Sequence, residues 1–326
     1  MRINVLVTIL AVLSFGTALF PTPAAWAGSC CGGGVAAGLI LPRYADSMAD
    51  LFAEFEKYDG FWNQNGSYTP DPPGSDLRQY RLNAGYAKRL ASQWQAGILV
   101  PYVWNDNVYS GLSSHTDGLG DTTVNVWYEA MDDMTAWKVR SFSDLKPSVL
   151  IGTSLLIPTG ISPYDDVKSS FDVTGRGFYR LDGNLYIDKT IHPWEVSLSL
   201  SYGTYFERAV NQEYGKYVEP YHKKLGNRWS SLLTIGYIYY LGTGGDTLTG
   251  SVSASYLDEA DSTINGARVP DSGIRKEALG LSLLYSSTDR DWSIRAGWSH
   301  ALRQDGWGEN FPITDIYTLG VRYVFR

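Results

Sequence analysis

Residues 94–104 read WQAGILVPYVW, and apolar side chains occupy every second position of this stretch. Trp94 and Trp104 fall on one side of the alternation, whereas Gln95 falls on the other. Successive side chains of an extended chain point to opposite faces, so a period of two predicts a β-strand with one apolar face. The same alternation recurs at 196–202, 279–285 and 292–298.

Twelve segments of this kind follow one another along the chain. They lie at 46–58, 78–90, 93–104, 119–130, 146–157, 177–189, 194–206, 228–241, 246–257, 275–287, 291–302 and 314–326. Strands of soluble proteins usually run about 5 or 6 residues, whereas a tilted strand needs about 9–11 residues to cross a bilayer. The length of the segments therefore favours strands that span a membrane.

The connections between these segments alternate in length. Long connections rich in Gly, Pro, Asn and Asp lie at 59–77, 105–118, 158–176, 207–227, 258–274 and 303–313. Short ones lie at 91–92, 190–193, 242–245 and 288–290, and only 131–145 departs from the alternation. Outer-membrane barrels combine long external loops with short periplasmic turns. The sequence therefore predicts an all-β fold, an antiparallel transmembrane β-barrel of the outer-membrane type with about 12 strands.

Composition narrows the possible functions. The formal net charge is −7, which argues against nucleic acid as a partner. Beyond the N-terminus no stretch approaches the 18 or more apolar residues of a membrane-spanning helix. Aromatic residues make up 14% of the chain, and Tyr and Trp favour the lipid headgroup region.

The first 27 residues predict a signal peptide. Arg2 is followed by an apolar run over 5–15, and Ala25-Trp26-Ala27 matches a cleavage site. We therefore expect export to the bacterial outer membrane, an N-terminal segment at 28–45 and a barrel at 46–326.

Two adjacent cysteines, Cys30 and Cys31, precede three glycines. Ala27-Gly28-Ser29 before Cys30 loosely matches a lipidation signal, with Ala27 where a large aliphatic residue is usual. Metal binding, redox chemistry and a flexible segment with oxidised thiols are the alternatives. The glycines would also let residues 35–41 fold into the barrel as a plug.

The carboxyl end, TLGVRYVF at 318–325, is the most specific local signal. Its Gly320, Tyr323 and Phe325 resemble the terminal-strand signal that the barrel assembly machinery reads, although Arg326 follows the final aromatic residue. The assembly machinery and the lipid bilayer are therefore expected partners.

Three stretches resemble the outer-membrane proteins named for the MetA pathway of phenol degradation. They are GLGDTTVNVWYEA at 118–130, IGTSLLIPTG at 151–160 and GVRYVF at 320–325. The resemblance spans about 80–326. It implies an outer-membrane transporter of the broad group that includes FadL-type channels for hydrophobic substrates.

Strand parity indicates which polar residues face inward if the apolar set faces lipid. These are Asp50, Glu54, Glu56, Arg81, Asn83, Arg89, Gln95, Asn125, Glu129, Arg180, Asp182, Asn184, Asp188, Glu195, Arg295 and Arg322. An Arg or Lys facing lipid at mid-depth would cost about 2–4 kcal/mol, which favours inward placement. The candidate lumen-lining residues are Arg81, Arg180, Asp182, Glu195, Arg295 and Arg322. They predict either a polar conduit with weak ion preference or a salt-bridge lattice that fills the barrel.

Three functions remain open at this point. The first is a passive channel for small molecules, with hydrophobic or aromatic compounds as candidates. The second is a structural sheath around a partner such as an exported multihaem cytochrome. The third and weakest is an enzyme, because His115, His192, His222 and His300 are dispersed and form no recognisable catalytic motif. We predict no catalytic site, no metal site and no cofactor; the chain has no C-x-x-C-H motif for haem.

Overall fold

Antiparallel strands account for most of the structure. The computed structural model describes residues 39–62, 68–131, 136–302 and 312–326. Eighteen strands lie within them: β1 (Ser47–Trp62), β2 (Tyr68–Thr69), β3 (Asp76–Ala91), β4 (Trp94–Tyr109), β5 (Leu112–Leu119), β6 (Thr122–Met131), β7 (Ser148–Ile157), β8 (Arg180–Ile191), β9 (Trp194–Tyr205), β10 (Arg208–Glu213), β11 (Lys216–Lys224), β12 (Arg228–Leu241), β13 (Asp246–Glu259), β14 (Thr263–Ile264), β15 (Ala267–Arg268), β16 (Ile274–Ser286), β17 (Trp292–Ala301) and β18 (Pro312–Phe325).

Twelve of these strands form a closed barrel. Their order around the wall is β1, β3, β4, β6, β7, β8, β9, β12, β13, β16, β17 and β18, and β18 pairs with β1 to complete the ring. The closing pair is antiparallel and runs from Ser47 opposite Phe325 to Tyr58 opposite Thr314. The structure thus confirms the predicted barrel and its twelve strands.

Several long connections, predicted as loops, contain further strands. β5 pairs with the second half of β4, beyond the part of β4 that pairs with β6. A separate four-stranded sheet is formed by β10, β11, β14 and β15. Three of these hairpins turn at a residue followed by glycine, both with positive φ: Ser110-Gly111, Tyr214-Gly215 and Asn265-Gly266. Such pairs form the tight turns whose twist matches that of the strands. These X-Gly dipeptides were the signal in the sequence from which the hairpins could have been predicted.

The outer face of the barrel carries an apolar belt between aromatic side chains. Leu51, Ile151, Val252, Leu281 and Leu319 are each about half exposed. Trp94 and Trp104 mark the two edges of the belt on β4. Ten residues at about 3.4 Å each, tilted by about 40°, span about 26 Å, which matches the apolar height of an outer-membrane barrel.

Helical structure is limited in the described part of the chain. Two short 3-10 turns cover Phe142–Leu145 and Ser170–Asp172. No described helix is long or apolar enough to cross a membrane.

Candidate functional site in the barrel interior

On the inward face of the barrel, Asp50 links β1 to β17 and β18. Arg295 and Arg322 both donate to Asp50 Oδ2, at 2.9 and 3.0 Å. The Arg295 guanidinium lies 4.5 Å from the centre of the Phe52 ring. A Cβ at Gly320 would lie 2.6 Å from Phe52 Cβ and 3.1 Å from Arg295 Nε, so glycine lets these side chains pass close to β18. Two predicted lumen residues therefore meet at one carboxylate.

A second ionic cluster surrounds Arg81. Its Nε donates to Glu54 at 3.0 Å and its Nη1 donates to Glu56 at 2.6 Å. Glu56 is fully buried and Arg81 is 7% exposed. Breaking a buried ion pair leaves an uncompensated charge, so this cluster ties β1 firmly to β3.

A third cluster joins a long loop to the wall. Arg176 makes a bidentate pair with Glu259, at 2.6 and 2.7 Å. Arg176 and Arg180 both donate to the Tyr205 hydroxyl, at 2.9 and 3.0 Å. Arg180 also pairs with Asp182 at 2.7 Å. Two more predicted lumen residues, Arg180 and Asp182, are thus neighbours.

Glu195 belongs to none of these three clusters. Glu195 is half-buried, and the negative charge of Asp188 repels its carboxylate. A Cβ at Gly236 would lie 2.6 Å from Glu195 Oε1, so Glu195 packs across a glycine of β12. Among the described residues, no three His, Cys, Asp or Glu side chains are grouped as metal ligands.

Residues 158–179, here termed the strap, cross the loop end of the barrel. On one side Asn105 and Asn107 of β4 donate to the carbonyls of Val173 and Phe171, at 2.9 and 3.2 Å. On the other side Arg176 pairs with Glu259 of β13. β4 and β13 are the third and ninth of twelve strands, so the strap is anchored on opposite walls.

Both arms of the strap are fixed to Asp121. Its carboxylate accepts from the backbone N–H of Gly160 at 3.2 Å and of Arg176 at 2.7 Å. A Cβ at Gly175 would lie within 2.2 Å of Asp121 Oδ1, so the two arms approach too closely for a side chain there. The G-x-G-D motif at 118–121 therefore positions this loop.

The β10–β11 hairpin packs on the strap. Tyr214 N–H donates to the Pro163 carbonyl at 2.7 Å. Arg208 and Lys223 lie 4.8 and 5.7 Å from the centre of the Tyr164 ring. Burial raises the pKa of Tyr164 and lowers the pKa of Lys223, although Glu213 acts in the opposite direction on Lys223. The strap is thus held from the loop side as well.

The other end of the barrel holds the first described residues. Leu39 and Leu41 are buried with Met48, Ala87 and Val324. Leu41 N–H donates to Gln95 Oε1 at 2.6 Å. Cβ atoms at Gly85 and Gly97 would meet Leu39 at 2.8 and 3.3 Å, so this segment lies against inward-facing glycines of β3 and β4. The predicted signal peptide, Cys30 and Cys31 lie outside the described residues.

The terminal aromatic residues lie on the lipid-facing side. The Tyr323 ring centre lies 4.5 Å from that of Trp292 and 4.7 Å from that of Phe325. Phe325 is 44% exposed. Tyr323 and Phe325 therefore form part of the aromatic edge at the short-turn end.

Two residues of the interior clusters, Arg176 and Glu259, were not predicted from the alternation along the strands. Arg176 lies in a long loop, where no alternation applies, and Glu259 lies two residues beyond the predicted end of its strand. The continued alternation of Leu257 and Glu259 was the available signal for the latter.

One solved structure shares this fold, and two others are more distantly similar. An outer-membrane channel from Pseudomonas putida F1 is similar, with a TM-score of 0.65 and 15% identity over 90% of this chain and 100% of that chain. The β-domain of the Bordetella autotransporter Brka has a TM-score of 0.47 and 15% identity, over 86% of this chain and 99% of that chain. The P. putida toluene transporter TodX has a TM-score of 0.41 and 10% identity, over 87% of this chain and 92% of that chain.

No family model matches the chain, and no curated protein matches it. The likeness to the first of these structures concerns the fold. Together with the apolar belt, it defines an outer-membrane β-barrel, a class of protein that resides in the bacterial outer membrane.

Proposed function

We propose that this barrel is a channel that lets small molecules cross the outer membrane. The observation that carries the proposal is a closed barrel whose interior holds fixed charges of both signs while apolar side chains face outward. Arg81, Arg180, Asp182, Glu195, Arg295 and Arg322 are its proposed lumen-lining residues. Charges fixed in a narrow passage with walls of low dielectric bias which solutes enter.

The sequence resemblance supports a finer proposal. The motifs at 118–130 and 151–160 resemble those of the family named for the MetA pathway of phenol degradation, and Asp121 of the first motif anchors the strap. On this proposal hydrophobic or aromatic compounds are candidate substrates, and the protein is a transporter and not an enzyme.

Neutralising Arg295 and Arg322 together should shift the reversal potential toward cation preference. Both arginines pair with Asp50, so the Gln variants remove two positive charges and leave one negative charge in the interior. The measurement is planar-bilayer current under a salt gradient. The matched control replaces Arg78 and Arg275, which pair with Asp76 and Asp258 on the outer face.

A purified wild-type barrel that carries no current and takes up no small solute would refute the channel. A haem protein that co-purifies with such a silent barrel would instead support the structural sheath around a periplasmic cytochrome.

We also propose that residues 28–45 plug the short-turn end of the lumen. The support is the burial of Leu39 and Leu41 against Gly85 and Gly97 and the hydrogen bond to Gln95. Lipidation of Cys30 would tether the start of the same segment to the membrane.

The terminal aromatic residues are proposed as the signal for the barrel assembly machinery. Phe325→Ser with Tyr323→Ser should reduce the amount of folded, heat-modifiable barrel in the outer membrane severalfold, because both exposed rings would be lost. Tyr239→Ser, on the lipid-facing side of β12 and 60% exposed, is the matched control. Unchanged assembly of the double variant would remove this role.

A further inference from the structure

Arg228 lies at the loop end of the barrel interior. It begins β12, where it stands opposite Gly203 of β9 and Glu259 of β13. Its neighbour Trp229 is exposed on the outer face and Ser230 is buried, so Arg228 belongs to the inward-facing set. It is half-buried.

The arginines near this point differ in their partners. Arg176 has Glu259, and Arg180 has Asp182. The Arg228 side chain makes no hydrogen bond and no ion pair with any described residue. Asp121 accepts the backbone N–H groups of Gly160 and Arg176, and its charge acts on Arg176 and Arg180.

The local field at Arg228 favours a negative charge. Glu259 attracts its guanidinium, whereas Arg176 and Arg180 repel it. Glu259 is already engaged in a bidentate pair with Arg176. Of these three guanidinium groups, only that of Arg228 lacks a hydrogen-bonded carboxylate among the described residues.

Hydroxyl groups extend this site toward the middle of the barrel. Ser201 and Ser230 face each other across β9 and β12, two residues further along from Gly203 and Arg228. A guanidinium offers a planar fork of donors that fits a carboxylate, and serine hydroxyls supply donors beside it. A single guanidinium without a carboxylate partner suits a monoanion better than a dianion such as phosphate.

We propose that Arg228 is a binding site for the carboxylate of small monoanionic solutes, placed beneath the strap. This inference rests on the proposed channel function and names a substrate class for it. A solute that enters past the strap would meet Arg228 with Arg176 and Arg180 adding to the positive potential and Ser201 and Ser230 completing the hydrogen bonds.

The test is equilibrium dialysis of radiolabelled benzoate against the full-length barrel folded in detergent. Saturable binding is expected, with benzyl alcohol unable to compete because it lacks the charge. Arg228→Gln should weaken the affinity by about tenfold or more, the range of a lost charge-assisted hydrogen bond. Arg228→Lys keeps the charge without the fork and should be intermediate. Arg275→Gln on the outer face is the matched control and should bind as the wild type does.

Heat-modifiability checks that each variant is folded. Equal benzoate affinity in wild type and folded Arg228→Gln would overturn the site, and so would efficient competition by benzyl alcohol. Stronger binding of phosphate than of benzoate would overturn the monocarboxylate assignment. Binding in detergent needs no conduction, so a barrel that binds benzoate but carries no current refutes only the channel. A barrel that conducts without binding benzoate refutes only this site.

Discussion

Glu259→Gln is expected to increase single-channel conductance, with the full increase only when Leu39 and Leu41 are also replaced by Ala. The variant removes the charge that pairs with Arg176 and so weakens the contact between the strap and β13. Loss of one partner of a buried ion pair costs about 3–5 kcal/mol, which loosens the strap at this wall while Asp121 still holds its two arms. The proposed plug would still obstruct the other end, and the narrower of two obstacles in series limits the current. We therefore expect a modest rise for Glu259→Gln alone and a severalfold rise for the triple variant.

Planar-bilayer recordings of the four combinations provide the measurement. Glu207→Gln is the matched control, because Glu207 is 55% exposed and pairs loosely with His222. A triple variant with wild-type conductance would show that neither the strap nor residues 39–41 obstruct the lumen. If Leu39→Ala with Leu41→Ala alone gave the full increase, the strap would not be an obstacle.

Arg81→Ala is expected to lower the free energy of unfolding by about 3–5 kcal/mol, because it removes the guanidinium that pairs with the buried Glu56 and the half-buried Glu54. Arg81→Met fills more of the volume but also lacks the charge, so it should recover only a small part of the loss. The measurement is urea unfolding of the barrel in detergent or lipid vesicles.

Arg275→Ala supplies the matched control for this loss. Arg275 pairs with Asp258 on the outer face and is about half exposed, and such pairs contribute about 0–1 kcal/mol. Arg81→Ala with a loss no larger than that of Arg275→Ala would mean that water or relaxation compensates the two carboxylates.

Much of the wall could be predicted from local pattern. The strand at 228–241 has the predicted bounds, and the inward positions of Asp50, Arg295 and Arg322 follow from alternation alone. Lipid on one side and a polar interior on the other impose a period of two on each strand. A pattern that depends only on neighbouring residues can be recognised without knowing which strands pair.

The extent of β4 was only partly predicted. Its alternation was recognised to Trp104, yet the strand continues to Tyr109 because Ser110-Gly111 turns the chain into β5. Beyond the membrane no lipid face enforces the apolar alternation, so the strand continues without its signature.

The strands, their inward and outward faces and the order of long and short connections could be predicted from the sequence, because each depends on residues close together in the chain. The contact between Arg176 and Glu259, 83 positions apart in sequence, is visible only in the folded barrel, and so is the path of the strap between opposite walls. The same is true of the Arg228 side chain, which pairs with no described carboxylate, and of Leu39, which lies against Gly85 and Gly97. These contacts are set by closure of the ring and by the path of a long loop across its mouth. Neither the closure nor that path leaves a periodic trace in the sequence.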